Sequence, residues 1–211
     1  MASSHVSGRL AQSGERGVRN AEVVGSSPIP STTVHSPPPA CTVPLCPVSV
    51  YNKTMRFAVD CMLGKLAKWL KILGFDTVFH GRIEDDALME QARSEGRTLL
   101  TRDTGLFARA KDLPKLFIES ERWEDQVHQV LTAFNLREQV LPYSRCIECN
   151  AELAPLSRDA AANLVSASVH GSANTFSICS LCGRVFWKGT HSRRMEKKMK
   201  EILNRGQDRD V

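Results

Sequence analysis

The sequence has no long apolar run. Nowhere do its 211 residues approach the eighteen or so apolar residues that a membrane span needs. No apolar core of a signal peptide occurs near the N-terminus. These absences exclude a helical membrane span and favour a cytoplasmic, reducing compartment with no membrane partner. In that compartment seven cysteines are expected to act as metal ligands and buried thiols rather than as disulfides.

Proline is scarce after residue 54. Seven of the ten prolines lie in residues 1–54, together with nine serines, and this leader has neither helical nor strand periodicity. We therefore expect it to be disordered. Its Ser-rich, acid-poor composition is compatible with an organelle transit peptide, but it lacks the amphipathic Arg-bearing helix of one. Met55 is a candidate functional start, and the leader is expected to carry no fold information.

Charge is unevenly distributed over the rest. Residues 55–141 carry 13 Lys+Arg and 14 Asp+Glu, a net −1, whereas residues 142–211 carry 11 and 7, a net +4. A basic flank beside an acid-rich segment suits a polyanion, because the flank attracts phosphates that the acids would repel. The same balance also occurs on protein surfaces that have no specific partner.

From Met55 onwards, strand and helix patterns alternate. A short buried strand at 56–59 precedes an amphipathic helix that ends at Gly74, where a residue without a Cβ suits the C′ position. The helix has Leu63, Leu66, Leu70 and Leu73 on one face and Lys65, Lys68 and Lys71 on the other. Further strands are predicted at 77–80, 98–101 and 116–119, and further helices at 85–95, 105–113 and 123–134. For the helix at 85–95, Asp85 or Asp86 is the predicted N-cap, and Gly96 is predicted to end it. This alternation predicts an α/β domain over 55–141, with a parallel sheet covered on both faces in three layers.

Acidic residues follow every predicted strand. They are Asp60, Asp85 and Asp86, Asp103, and Glu119 with Glu121. Because parallel strands end at one edge of the sheet, these carboxylates would repel one another unless a cation neutralised them. Mg²⁺ or Mn²⁺ suits such a cluster and can activate water for attack on phosphorus. Taken singly, each acid is also a candidate helix cap or surface charge.

Several other side chains are candidates near this edge. Thr101 lies two residues before Asp103, on the same side of an extended chain, and its hydroxyl could bond a carboxylate or a water. Lys65 and Arg102 are candidate phosphate contacts, with solvated surface charge as the plain alternative. His80 is a candidate base, although a lone histidine is more often structural.

Two C-x2-C knuckles, Cys146 with Cys149 and Cys179 with Cys182, are separated by 29 residues. Four thiolates form the closed shell of a structural zinc, which leaves no open position for catalysis or for His191. Gly183 follows the second pair, where a tight turn can aim backbone N–H groups at sulfur. We predict one zinc per chain in a zinc ribbon over 142–203, with 204–211 as a tail.

A basic helix follows the ribbon. Its candidate phosphate contacts are Lys188, Arg193, Arg194, Lys197 and Lys198. Phe186 and Trp187 are expected in the ribbon core rather than stacked on bases.

Four segments in order, VDCMLGKLAKWLKILGFDT, EGRTLLTRD, RCIECNAEL and CSLCGRVFWKGTH, together resemble a known family. It is the PIN-like family named after the C-terminal RNase domain of the Mut-seven exonuclease, and the resemblance covers about residues 55–200. It implies a PIN-like fold, metal-dependent ribonuclease activity and an appended zinc ribbon. The family acids correspond to Asp60, Asp103 and one of Asp85 or Asp86. A further family acid would fall at Ser120 or Glu121.

We therefore expect a Mg²⁺- or Mn²⁺-dependent ribonuclease in which Asp60, Asp86 and Asp103 hold the metal, with Asp85 as the substitute for Asp86. Thr101 assists, and the ribbon and basic helix help to bind RNA. The alternative is a non-catalytic RNA-binding module with a vestigial acid cluster, which the doubtful identity of the fourth acid favours. A phosphatase of the haloacid dehalogenase type is excluded, because it needs a second Asp where this chain has Met62.

Overall fold

The structure, a computed structural model, describes residues 26–27 and 55–205 and contains two four-stranded sheets. In chain order the strands are β1 (Ser26–Ser27), β2 (Arg56–Val59), β3 (Asp76–Phe79), β4 (Thr98–Thr101), β5 (Lys115–Phe117), β6 (Leu153–Leu156), β7 (Phe176–Cys179) and β8 (Val185–Trp187). The helices are α1 (Gly64–Ile72), α2 (Asp85–Glu95), α3 (Thr104–Arg109), α4 (Trp123–Ala133), α5 (Arg158–Ala161), α6 (Ala167–Ser172) and α7 (Thr190–Asn204). Short 3-10 turns occur at Cys61–Leu63 and Arg137–Gln139.

The first sheet is parallel, with strand order β3-β2-β4-β5, and helices pack on both of its faces. The predicted α/β class is confirmed. Residues 56–59 and 98–101 are strands as predicted. Strand β3 lies one residue earlier than predicted, and β5 begins one residue earlier and ends two residues earlier than predicted. Helix α3 ends at Arg109 rather than near residue 113, because the backbone of Ala110, with ψ of 52°, already leaves the helical region.

Asp85 and Asp86 do not cap α2, so that prediction is wrong. Glu84 occupies the N-cap position without a side-chain capping bond, and the two aspartates are the first helical residues. Their charges still suit this end of the helix, since they face the positive end of its dipole. Gly96 closes the helix at a left-handed φ of 62°, as predicted.

The leucine face of the first helix is buried as predicted. Leu63, Leu66, Leu70 and Leu73 are all buried in a core shared with β2 and α4. Gly74 follows at a positive φ of 96°, which confirms its role as the residue that ends the helix. On the opposite face of the sheet, Leu99 packs against side chains of α2 and α3.

The second sheet is antiparallel, in the order β1-β8-β7-β6, and carries the cysteine knuckles near one end. Strand β6 lies at the edge of this sheet and contains Pro155, which has no backbone N–H to donate. An edge strand tolerates proline because its nitrogen can face away from the neighbouring strand. The pairing of Ser26–Ser27 with β8 has no counterpart in the sequence pattern. The rest of the leader lies outside the described residues.

Helix α7 packs back on the parallel-sheet unit. Met199 and Ile202 belong to the same core as α1 and α4, and the guanidinium of Arg137 donates to the carbonyl of Leu203. The helix predicted as an appendage of the ribbon therefore also contacts the first unit. The domain boundaries at 142 and 204 stay predictions. Among the described helices, none has both the length and the apolar character that a membrane crossing requires.

Lys71 connects the two units. The sequence places it on the exposed face of α1, but its side chain is buried and its Nζ donates to the carbonyls of Ile147 (3.3 Å) and Glu148 (3.1 Å) in the first knuckle. Asn150 supplies a second connection, because its Oδ1 accepts from the backbone N–H of Thr77 at 2.9 Å. The first knuckle is thus hydrogen-bonded to the end of α1 and the start of β3.

Asp76 anchors this junction. Its Oδ1 accepts from Arg97 Nη1 at 2.6 Å and from Asn150 Nδ2 at 2.8 Å, and its Oδ2 accepts from Arg56 Nε at 3.2 Å. Burial acts to raise the pKa of Asp76, but the hydrogen bonds from Arg97 and Asn150 outweigh it and lower the pKa below its ordinary 3.8. Arg97 itself is only 4% exposed, and its guanidinium is paired both with this carboxylate and with Glu95 Oε2 at 2.6 Å.

We predict that Asp76→Asn lowers the free energy of unfolding by about 2 kcal/mol at pH 7, because it removes one of the two carboxylates that pair with the buried Arg97 guanidinium and leaves only Glu95, at 2.6 Å. The folded pKa lies below 3.8, so this stabilisation is present above that pH and is lost as the pH falls through the folded value. The difference between parent and variant should therefore shrink in acid. Urea titrations at pH 7 and below pH 4 measure it.

The matched control is Asp112→Asn, which breaks an exposed Asp–Arg pair with Arg93 at 2.8 Å. An exposed pair contributes little to stability because solvent screens it, so this variant should behave almost like the parent. Equal losses in the two variants at pH 7 would show that burial of the Asp76 pair has no energetic consequence.

Candidate functional site

Asp60 lies at the carboxyl edge of the parallel sheet, directly after β2. Its backbone N–H donates to the carbonyl of Leu100 at 3.0 Å, which fixes it against β4. Its side chain is buried, and its Oδ2 accepts from the hydroxyl of Thr101 at 2.8 Å. The side chain makes no capping bond to the turn that follows. The capping interpretation of Asp60 therefore does not describe this structure.

The hydroxyl of Thr101 joins two of the predicted acids. Thr101 is completely buried, and its Oγ1 also accepts from the backbone N–H of Asp103 at 2.9 Å. Asp103 Oδ1 accepts from Leu106 N–H at 2.9 Å and caps α3. Asp103 is thus a cap, and the buried hydroxyl that bonds its backbone also orients Asp60.

Asp85 and Asp86 pair with Arg109 of α3. The guanidinium donates to Asp86 Oδ1 at 2.5 Å and reaches Asp85 Oδ2 at 3.5 Å. Asp86 is 88% exposed and Asp85 45% exposed. The pKa of the Cys61 thiol is raised, chiefly by its hydrogen bond with Asp60, then by burial and by the charges of Asp60 and Asp85. The charges of Asp85 and Asp60 therefore both act on the Cys61 thiol.

The remaining candidates at this edge have other partners. The hydroxyl of Ser120 lies 3.2 Å from Asp125 Oδ2, and Glu121 pairs with Arg102 Nη2 at 3.4 Å on the surface. His80 Nε2 bonds Gln91 Oε1 at 2.9 Å, a partnership that fits a structural histidine. Lys65 is exposed and lines a shallow cleft with Gly64, Arg122 and Trp123 at the start of α1.

The four cysteines come together as predicted. Cys146 Sγ lies 3.7 Å from Cys182 Sγ, and Cys149 Sγ lies 3.3 Å from Cys179 Sγ. Within residues 26–27 and 55–205, they form the one set of three or more His, Cys, Asp or Glu side chains whose donor atoms all lie within 4.8 Å of each other. The acids Asp60, Asp85, Asp86 and Asp103 are not gathered that closely. The cysteine cluster can hold a metal ion such as zinc.

Both knuckles use the same turn. Asn150 and Gly183 each follow a C-x2-C pair, have φ values of 68° and 70°, and donate their N–H to the carbonyl of the first cysteine of their pair. Sequence reasoning identified Gly183 but missed Asn150. Asn150 directly follows Cys149, as Gly183 directly follows Cys182, and this position could have identified it. Asparagine tolerates left-handed backbone better than most residues.

The thiols of the cluster differ in acidity. Burial raises the pKa of Cys146 to about 12. Burial also acts to raise the pKa of Cys179, but hydrogen bonds from the backbone of Cys182 and Leu181 and from Cys149 lower it to about 7. Cys179 is therefore the most readily ionised of these three thiols, and a bound cation must displace the protons of Cys146 and of Cys182, whose pKa burial also raises.

The predicted phosphate contacts of the ribbon lie on its surface. Lys188, Arg193 and Arg194 are exposed. Phe186 is buried in a cluster with Cys146 and Cys179, and Trp187 packs against the cluster around Phe176, which confirms their place in the ribbon core. The side chain of His191 lies outside the described residues.

We predict that Cys179→Ser combined with Cys182→Ser abolishes binding of one zinc per chain and lowers the Tm of the whole chain. The second effect is expected because the first knuckle is bonded to α1 and β3 through Lys71 and Asn150. Metal analysis and thermal unfolding measure both. Cys61→Ser, which alters an exposed cysteine outside the cluster, is the control and should keep zinc and Tm. Stoichiometric zinc in the double variant would refute the assignment.

Comparison with protein families gives one match: a family described as the Mut7-C RNAse domain covers residues 55–199. Comparisons with curated proteins and with solved structures give no match. The family match spans both the parallel sheet and the cysteine cluster. It indicates a ribonuclease-type function with RNA as the substrate.

Proposed function

We propose that this chain, which belongs to the Mut7-C RNAse domain family, hydrolyses RNA phosphodiester bonds at the sheet edge around Asp60 with the help of a divalent cation. The observation that carries the proposal is the state of Asp60. Its carboxylate is only 4% exposed, and no Lys, Arg or His among the described residues forms an ion pair with it. A buried carboxylate without a cationic side chain favours a bound cation.

The donors at this edge fit Mg²⁺ or Mn²⁺, which prefer oxygen ligands. Asp60 and Asp103 would hold the ion. Asp85 is a better third ligand than Asp86, since it is less exposed and its charge acts on Cys61 beside Asp60. Mg²⁺ commonly binds through one or two carboxylates and keeps waters and substrate phosphates as its other ligands. A set of three converged carboxylates is therefore not required.

An ion bound there would supply an activated water and balance the charge that develops on the phosphoryl oxygens. The chain itself positions the groups. Thr101 fixes the Asp60 carboxylate through its hydroxyl, and the backbone bond from Asp60 to Leu100 holds the acid on β4. Lys65 stands in the adjoining cleft, where its ammonium can hold a phosphate of the strand.

The cysteine cluster would hold a structural zinc. It would maintain the first knuckle against α1 and β3, while exposed Lys188, Arg193 and Arg194 bind the RNA backbone. Their contribution is electrostatic, so RNA affinity should fall as salt rises. Arg102 is a weaker candidate, since Glu121 already pairs with it at 3.4 Å. The cytoplasmic location stays a prediction.

A non-catalytic RNA-binding role is the alternative. It is favoured by Arg109, which already pairs with Asp85 and Asp86 and so partly neutralises the edge without a metal. It predicts binding of RNA without cleavage under any divalent cation.

The test is cleavage of single-stranded RNA by the full, zinc-loaded chain with Mg²⁺ or Mn²⁺. Asp60→Asn should lower the rate on the order of a hundredfold, because the charge that binds the cation is lost while the shape is kept. Thr101→Val should lower it about tenfold, as expected when a group that orients a metal ligand is removed.

Asp112→Asn is the matched control, since it makes the same Asp-to-Asn change at an exposed acid beyond α3, which pairs with Arg93 on the surface. Its rate should equal that of the parent. If the parent cleaves and Asp60→Asn cleaves as fast, the site lies elsewhere. If the parent binds RNA and never cleaves it, the alternative is correct.

A further inference from the structure

A small cavity of about 80 Å³ lies where the ribbon meets the end of α1. It is not part of the edge around Asp60. Ile72 forms one wall, at the end of α1 opposite to Gly64, and nine helical residues span roughly 13 Å. The other walls come from the segment before the first knuckle, from β7 and β8, and from the start of α7. The volume is enough for several waters or for part of a flat ring.

The lining is mainly apolar and aromatic, with polar groups among it. Ile72, Tyr143, Phe186 and Trp187 supply apolar or ring surface, and Thr175, Ser177 and Ser192 supply hydroxyls. Apolar walls with a few polar groups are typical of sites for flat heterocyclic ligands. Trp and Tyr rings in such sites stack on nucleobases, whatever the base.

Tyr143 gives a second, independent observation. Its hydroxyl is buried and, in the described part of the chain, has no hydrogen-bond partner. Its backbone has a φ of 60°, which is a strained conformation for a bulky residue. Burial raises the pKa of this phenol, and the charge of Glu196 raises it further, so the group stays a neutral donor. A strained backbone and a buried hydroxyl without a hydrogen-bond partner, both in one residue of the cavity wall, are features that proteins retain at ligand sites.

Lys188 supplies a cation beside the cavity. It is 62% exposed, and its Nζ is 3.9 Å from Glu196 Oε1, too far for a hydrogen bond. Arg145 also lines the cavity, but its guanidinium already donates to the carbonyls of Gly74 and Asn150. Lys188 is therefore the lining cation that can take a phosphate.

We propose that this cavity binds one nucleotide of the single-stranded RNA substrate, with the base against Tyr143 and against the part of the half-buried Trp187 ring that the ribbon core leaves open to the cavity, and with the adjoining phosphate on Lys188. A slight movement of the wall would bring the Tyr143 hydroxyl to the polar edge of the base. The assignment rests on the proposed ribonuclease function, since it names a substrate contact. Because the cavity lies at the far end of α1, the nucleotide that it holds is not the one at the scissile bond.

The test measures binding apart from cleavage. The full, zinc-loaded chain carrying Asp60→Asn is titrated into a fluorescently labelled single-stranded RNA of ten nucleotides, and Kd is read from anisotropy. Ser177→Leu, added to this background, fills the cavity without a change of charge and should raise Kd about tenfold, the loss of one stacked base. Tyr143→Phe should raise Kd about fivefold, as expected for one lost hydrogen bond.

Lys188→Gln should weaken binding and lower the slope of log Kd against log salt by about 0.7, the value for one lost phosphate contact on a single strand. Lys111→Gln removes the same charge from an exposed position outside the cavity and should change neither quantity. If Ser177→Leu fails to retain zinc, Lys188→Gln and Tyr143→Phe decide the matter.

An unchanged Kd in both Lys188→Gln and Tyr143→Phe would overturn the proposal. So would competition by 5′-AMP with the same affinity as the RNA, which would make the cavity a site for a free nucleotide. Loss of affinity in the variants supports the proposal even if the parent chain never cleaves RNA. Cleavage by the parent with unaltered binding in the variants overturns this proposal and leaves the ribonuclease function intact.

Discussion

The candidate site depends on one buried hydroxyl. Thr101 Oγ1 donates to the carboxylate of Asp60 and accepts the backbone N–H of Asp103, so a single atom sets the positions of two acids from different strand ends. The parallel pairing of β2 and β4, with Val59 opposite Leu100, brings the next residues, Asp60 and Thr101, side by side and so allows this contact. Because Thr101 is wholly buried, its hydroxyl meets no competing water, and the contact is stronger than the same pair would be on a surface.

A second constraint ties the cysteine cluster to that site. Lys71 and Asn150 bind the first knuckle to α1 and β3, and α1 begins four residues after Asp60. Asp76 and Arg97 complete the junction as a buried ion pair. A metal in the cluster would therefore fix the C-terminal end of α1, and the N-terminal end of the same helix adjoins the acids. We infer that the ribbon stabilises the sheet unit, a role separate from the RNA contacts proposed for it.

The features that the sequence predicted well are those encoded locally. The leucine face of α1, the glycines that end α1 and α2, and the two C-x2-C knuckles all follow from spacing within a few residues. Gly183 was identified for the same reason, since a tight turn next to a cysteine pair needs a residue that tolerates positive φ.

The features that it did not predict depend on distant partners. Lys71 has the spacing of an exposed lysine, and only the knuckle 76 residues later makes it a buried donor. Asp85 and Asp86 are adjacent and chemically identical, so only the position of Arg109 and Cys61 separates them. The Tyr143 hydroxyl that lacks a hydrogen-bond partner and the cavity beside it have no sequence signature, because they arise where segments distant in the sequence meet.

The central claim is that the edge around Asp60 binds a divalent cation. The most direct measurement is a titration of the zinc-loaded full chain with Mn²⁺, in which electron paramagnetic resonance reports the free ion. The account predicts that the parent and Asp112→Asn each bind one Mn²⁺ that Asp60→Asn does not, with zinc content equal in all three. Equal Mn²⁺ binding by the parent and Asp60→Asn would contradict it.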